Sequence, residues 1–194
     1  MKPIGVLYAT REGHTERIAE HVATRLRYRG LDAQFHNVRT LADFVLDRHE
    51  AVILAASVHT GKHESEMVRF VKQHRRELES LPAAFLSITL SEAGAERTDT
   101  TPEQHARFVA DVNKILDQFY AETGWHPEHV KPVAGALLYS KYNVLVRFVM
   151  KWIAKKAGGA TDTSRDYEYT DWAALDRFVD EFADRLSGTP CSSC

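Results

Sequence analysis

The chain has 194 residues, 44% hydrophobic and 27% charged, which suits one domain with a full core and excludes a disordered or multi-span membrane protein. With 25 basic and 27 acidic residues the formal net charge is -2, so nothing in the whole-molecule charge argues for nucleic-acid binding. The two cysteines, Cys191 and Cys194, lie outside the body, where neither a disulfide framework nor a four-cysteine zinc site can therefore form.

Apolar runs alternate with helical patterns, the signature of a parallel sheet covered on both faces. Met1-Lys2-Pro3 leads straight into the first strand, 4–9, with no signal-peptide core before it, so the chain is expected to face the cytoplasm. A helix follows over 15–28, with Ile18, Ala19, Val22 and Leu26 on one face and Gly30 as its stop. A second strand is expected at 32–38 and a short helix near 41–46. Ala51-Val52-Ile53-Leu54-Ala55-Ala56 reads as a buried central strand. The stretch 63–78 is amphipathic, with Met67, Phe70, Val71 and Leu78 inward, and 83–90 is the fourth strand. Pro102 opens a helix to about 120, carrying Phe108, Val112, Ile115 and Phe119 on one side. The fifth strand is 130–138. An insert at about 139–159 separates it from a last helix that starts near Asp171 and turns Trp172, Leu175, Phe178, Val179 and Phe182 inward. Residues 1–187 form one domain, and 188–194 is expected to be a disordered tail. No uncharged apolar run reaches the roughly 20 residues that span a bilayer.

The strongest local signal is Thr10-Arg11-Glu12-Gly13-His14-Thr15 between the first strand and the first helix. The first amides of a helix have no intrahelical partner, and with the helix dipole they make an anion site. Thr10 and Thr15 add hydroxyls, and Gly13 permits close backbone approach. The alternative is an ordinary strand-to-helix turn with Thr15 as a cap. With the preceding strand, Ala19 and Val22, the pattern resembles the flavodoxin phosphate signature at every constrained position, which implies FMN. No Gly-x-Gly-x-x-Gly follows the first strand, and Gly61-Lys62-His63 lacks the hydroxyl that a P-loop places on Mg²⁺.

In a doubly wound sheet the ligand sits beyond the carboxyl ends of the strands, where strand order reverses. Two further cofactor loops are therefore expected: Ser57, Val58, His59, Thr60 and Gly61 after the third strand, and Leu90, Ser91, Glu92, Ala93 and Gly94 after the fourth. Neither contains an aromatic residue to stack on a flavin, which leaves one ring face open or covered by His59. His59 and His63 would be one turn apart if helical, but no third metal ligand is evident, and no metal is expected.

The phosphate loop, Ala56-Ser57-Val58, Ala134-Gly135-Ala136-Leu137, Gly158-Gly159-Ala160-Thr161-Asp162-Thr163 and Tyr169-Thr170-Asp171-Trp172 occur in the order seen in one family. In these segments the chain resembles the menaquinone-dependent protoporphyrinogen IX dehydrogenases of bacterial haem synthesis, from Met1 to about Leu186. The resemblance implies a flavodoxin-like, doubly wound, five-stranded parallel sheet of order 2-1-3-4-5 with a helical insert before the last helix. It implies FMN as cofactor, protoporphyrinogen IX as substrate, and a membrane quinone, menaquinone or ubiquinone, as acceptor. It departs from the family in lacking an aromatic residue near His59-Thr60, in a less basic 92–102 region, and in the Cys-Ser-Ser-Cys tail.

Residues 142–156 can form a helix with Arg147, Lys151 and Lys155 at every fourth position and Val144, Leu145, Phe148, Val149, Trp152 and Ile153 opposite. Such a helix suits an anionic lipid surface or a substrate bearing carboxylates. It equally suits a helix packed on the sheet with solvated lysines. Lys141, Arg147, Lys151 and Trp152 are the candidate substrate or membrane contacts, on the cytoplasmic face of the inner membrane. The spacing identifies no side-chain acid, base or nucleophile. Two other functions fit the residues: a soluble electron shuttle to a protein partner, and a flavin-free interaction module.

Overall fold

The computed structural model describes residues 2–41, 44–141 and 162–188. Five parallel strands form the main sheet: β1 (Ile4–Ala9), β2 (Ala33–Asn37), β3 (Ala51–His59), β5 (Ala83–Thr89) and β6 (His129–Ala134), in the order β2-β1-β3-β5-β6. Counting only these strands, that is the expected 2-1-3-4-5 order. Side-chain alternation divides the core between the two faces. Ile4, Val6 and Tyr8 of β1, with Ala51, Ile53 and Ala55 of β3, face α1 (His14–Tyr28) and the last helix. Leu7, Ala9, Val52, Leu54 and Ala56 face the opposite layer, α2 (Ser65–Leu78) and α4 (Pro102–Thr123).

α1 ends as Gly30 implies. Gly30 sits at φ 81°, its amide bonds the Arg27 carbonyl at 2.9 Å, and the Leu31 amide reaches back to Leu26 at 3.1 Å, the paired bonds of a Schellman stop. α4 opens on a capping box. The Thr101 hydroxyl accepts from the Gln104 amide and the Gln104 side chain accepts from the Thr101 amide, with Pro102 at the first helical position.

Several expected boundaries move. The short helix expected near 41–46 is instead a single 3₁₀ turn at Leu46–Arg48. The helix expected from 63 starts at Ser65, because His63 is held in β4 (Lys62–His63), which folds back antiparallel on the end of β3. The fifth strand breaks at Gly135. Beyond it, β7 (Ala136–Leu137) leaves the main sheet to pair with β8 (Tyr167–Glu168), and the last helix, α5 (Trp172–Leu186), starts under an Asp171 cap. The 142–156 segment, with Arg147, Lys151 and Trp152, and the Cys191–Cys194 tail lie outside the described residues; Lys141 is exposed.

α1 and α5 lie side by side along an ionic seam with a period of one helical turn. His21 faces Asp176 at 2.7 Å, Arg25 grips Asp180 at 2.6 Å, and Arg29 bonds Asp184. The matching four-residue steps place each basic side chain opposite the next acid.

Between β5 and α4 stands α3 (Leu90–Ala95), where an open loop was expected. Thr89 caps it, its hydroxyl accepting from the Ser91 amide at 3.2 Å. α3 lies so close to α4 that a methyl group on Gly94 would stand 2.6 Å from the Phe108 ring. Gly94→Ala should therefore destabilise the fold by about 1–3 kcal/mol. Adding Phe108→Leu should recover part of that loss in denaturant midpoint; a neutral Gly94→Ala would refute the close contact.

Candidate functional site

Strand order reverses between β1 and β3, because the chain leaves β1 for β2 on one side and returns to β3 on the other. The segments that follow these two strands therefore flank one crevice, where an open parallel sheet binds its ligand.

The first segment is the phosphate loop. The Thr10 hydroxyl accepts from the Gly13 amide at 3.1 Å and closes the turn, and Gly13 takes φ 93°, which only glycine adopts without strain. α1 begins at His14, so the amides of its first turn have no carbonyl partner within the helix. Thr15 is 1% exposed and its hydroxyl has no partner; His14 is 6% exposed and its Nδ1 has none. Two orphaned polar atoms on consecutive buried residues fit a missing anion, since an unpartnered buried hydroxyl otherwise costs about 1–3 kcal/mol. A phosphate monoester at the start of α1 meets that requirement, and the loop fits FMN.

The second segment differs from the expected open loop. Ser57, Val58 and His59 belong to β3, and Thr60 and Gly61 are the two-residue turn of a hairpin, at φ 50° and 78°. Positive φ at both central positions is the turn that follows strand twist. The hairpin sends His59 and His63 apart. His63 enters the core, 2.9 Å from the Ser87 hydroxyl and against Phe85 and Phe119. His59 stays at the crevice.

Glu64, which the sequence reading missed, ties the two segments together. Its carboxylate is 2% exposed and accepts from Arg11 Nε at 2.9 Å and from the Ser57 hydroxyl at 3.2 Å. His59 Nε2 lies 3.1 Å from the same carboxylate and 3.0 Å from Glu12. The Glu12 contact holds the His59 pKa above its ordinary value, against burial, which lowers it. Arg11, Glu12 and His59 are thus organised as a set around one buried acid. No local pattern marks Glu64, because its partners come from two segments, one of them 53 positions away.

The third expected segment is only partly at the site. Ser91 joins Thr60, Gly61 and Lys62 around a cavity of about 330 Å³, closed by Asp111, Lys114, Ile115 and Gln118 of α4. Gly94 does not reach it, being buried against Phe108, and Leu90 packs instead against the cluster of Leu137 and Tyr139. Glu92 and Ala93 lie on α3 rather than in a loop. Burial raises the Glu92 pKa, against the lowering effect of Lys131. Among the described residues no group of three or more His, Cys, Asp or Glu is placed to hold a metal, and no helix is long and apolar enough to cross a membrane.

Comparison with known proteins bears on the fold and the family. A flavodoxin domain model matches residues 5–164. Protoporphyrinogen IX dehydrogenase [quinone] of Escherichia coli (strain K12) is 33% identical over 178 residues, covering 92% of this chain and 93% of the relative. The enzyme of the same name from Leishmania major is 35% identical over 184 residues, covering 92% of this chain and 73% of the relative. The chain belongs to the quinone-dependent protoporphyrinogen IX dehydrogenase family. The fold of this protoporphyrinogen IX dehydrogenase family member is also that of solved flavodoxins. Flavodoxin 1 from Bacillus cereus superposes with a TM-score of 0.52 at 13% identity, over 95% of this chain and 97% of that one. A short-chain flavodoxin associated with a PDU bacterial microcompartment gives 0.53 at 14% identity, over 96% of this chain and 99% of that one.

Proposed function

We propose that this protein is an FMN-dependent oxidoreductase that oxidises protoporphyrinogen IX to protoporphyrin IX and delivers the electrons to a quinone. The observation that carries the reading is the pair of orphaned polar atoms on His14 and Thr15, at the switch point of a chain whose curated relatives bear that activity in their names. Bound FMN would supply two-electron redox chemistry, so the six-electron oxidation of the porphyrinogen takes three turnovers and reduces three quinones.

The chain's own residues bind and orient. Thr10, Gly13 and the first-turn amides and hydroxyl of α1 hold the phosphate. The Thr60-Gly61 turn and Ser91 border a cavity that would receive the ring system, and Arg11, Glu12, His59 and Glu64 gather at the crevice beside the phosphate loop. Lys62 and Lys114 line that cavity and carry the charge that the substrate's carboxylates require. Lys141, Arg147, Lys151 and Trp152 would meet the membrane on its cytoplasmic side, where the lipid-soluble acceptor is reached.

The test is anaerobic turnover of the purified yellow protein. Porphyrin fluorescence should appear with menaquinone or ubiquinone present and be absent without acceptor. A flavin-loaded protein that leaves the porphyrinogen unoxidised but accepts electrons from a flavodoxin reductase would overturn the enzyme reading in favour of a shuttle.

A further inference from the structure

We propose that His14 is a proton-linked anchor for the FMN phosphate: its imidazole takes up a proton as the phosphate seats, so cofactor retention weakens as pH rises. This rests on the reading of the first turn of α1 as the phosphate site.

The hydrogen-bond pattern fixes the tautomer. The Thr170 hydroxyl has one proton and gives it to the Ala134 carbonyl at 2.7 Å. Towards His14 Nε2, 2.8 Å away, that hydroxyl can only accept. Nε2 therefore carries the hydrogen of the neutral ring. Nδ1 is left as a bare lone pair, buried and without a partner. Toward a phosphate dianion a lone pair is the wrong polarity. Protonation turns the same atom into a donor and gives the ring a full positive charge.

The groups around the ring do not by themselves drive that protonation. Arg17 lies one turn along α1 and Glu168 comes from β8; they pair with each other at 2.7 Å and act on His14 with opposite signs. α5 offers the uncharged edge of Trp172, at 6.4 Å between ring centres, and its indole N–H is committed to Glu168 at 2.7 Å. β6 offers only the Ala134 carbonyl, through Thr170. Burial keeps the free ring below its ordinary pKa and so neutral at pH 7. A dianion at the first turn is the added charge that reverses this balance. By linkage, whatever raises the affinity of His14 for a proton is bound more tightly when the proton is present.

The experiment compares FMN with riboflavin, which lacks the phosphate, on flavin-depleted protein whose fold is checked by circular dichroism. Dissociation constants are measured from pH 6.5 to 8.5 by fluorescence quenching, and proton uptake by calorimetry in two buffers of different ionisation enthalpy. The FMN constant should rise by up to about tenfold per pH unit, with the riboflavin constant flat. His14→Gln should flatten the FMN profile and abolish the buffer dependence of the heat. An unchanged slope in His14→Gln, the same slope for riboflavin, or no proton uptake by the native protein would each overturn the proposal. FMN that fails to bind at any pH would overturn the functional reading itself, a result distinct from binding that is independent of pH.

Discussion

Thr15→Val should weaken FMN binding at least tenfold while making the flavin-free protein more stable. Opposite signs are expected because the Thr15 hydroxyl is buried and unpartnered without ligand. Valine keeps the shape of threonine and removes only the polar atom. That relieves an unsatisfied group, for about 1 kcal/mol of added stability, or about 2–4 °C in a chain of this size. With FMN bound, the same change deletes a hydrogen bond to a charged phosphate, worth about 1.5–3 kcal/mol. The two readouts are the melting temperature of the flavin-depleted protein and the FMN dissociation constant. A variant that binds FMN as tightly as the native protein would remove Thr15 from the site.

A second large effect concerns stability against pH and lies away from the site. His63 is buried against the stacked Phe85 and Phe119 rings, and burial pushes its pKa down to about 4. The folded chain thus refuses a proton that the unfolded chain takes up near pH 6.5. Stability from this group is complete above about pH 6.5 and is lost as pH falls toward 4, because protons then favour the unfolded state. At pH 4.5 the loss should be about 2.5 kcal/mol relative to pH 7. Urea denaturation of the native protein and His63→Leu at the two pH values isolates it. The variant gives up the Ser87 hydrogen bond at both, so its offset is constant, and only the native protein should show the extra loss. Equal losses in the two proteins would mean that His63 titrates normally.

The two histidines of the hairpin show how local pattern and fold divide the work. From spacing alone, His59 and His63 were candidates for one face of a helix. A two-residue turn at Thr60-Gly61 makes them opposite ends of a hairpin, with Val58 paired to His63 and His59 paired to Lys62. The turn lacks the Asn-Gly or Asp-Gly sequence that advertises such a hairpin. α3 escaped notice for a related reason. A six-residue helix is too short to show a period, and its Thr89 cap sits at the end of a strand.

The residues alone determined what depends on neighbours a few positions apart. Alternating buried runs set the five parallel strands, Gly30 and Pro102 set the helix ends, and Thr10 to Thr15 built an anion-binding turn, because strand exit, hydroxyl, glycine and helix start all fall within six residues. Only the tertiary structure decided what depends on long-range meetings. Thr170 reaches His14 across 156 positions and fixes which ring nitrogen is free; Glu64 reaches Arg11 across 53 and gathers the rim of the crevice. The seam of His21, Arg25 and Arg29 against Asp176, Asp180 and Asp184 joins two helices about 155 positions apart and exists only because α1 and α5 lie side by side. Hydrogen bonds and ion pairs act over a few ångströms, and chain spacing carries no record of which distant groups folding brings within that range.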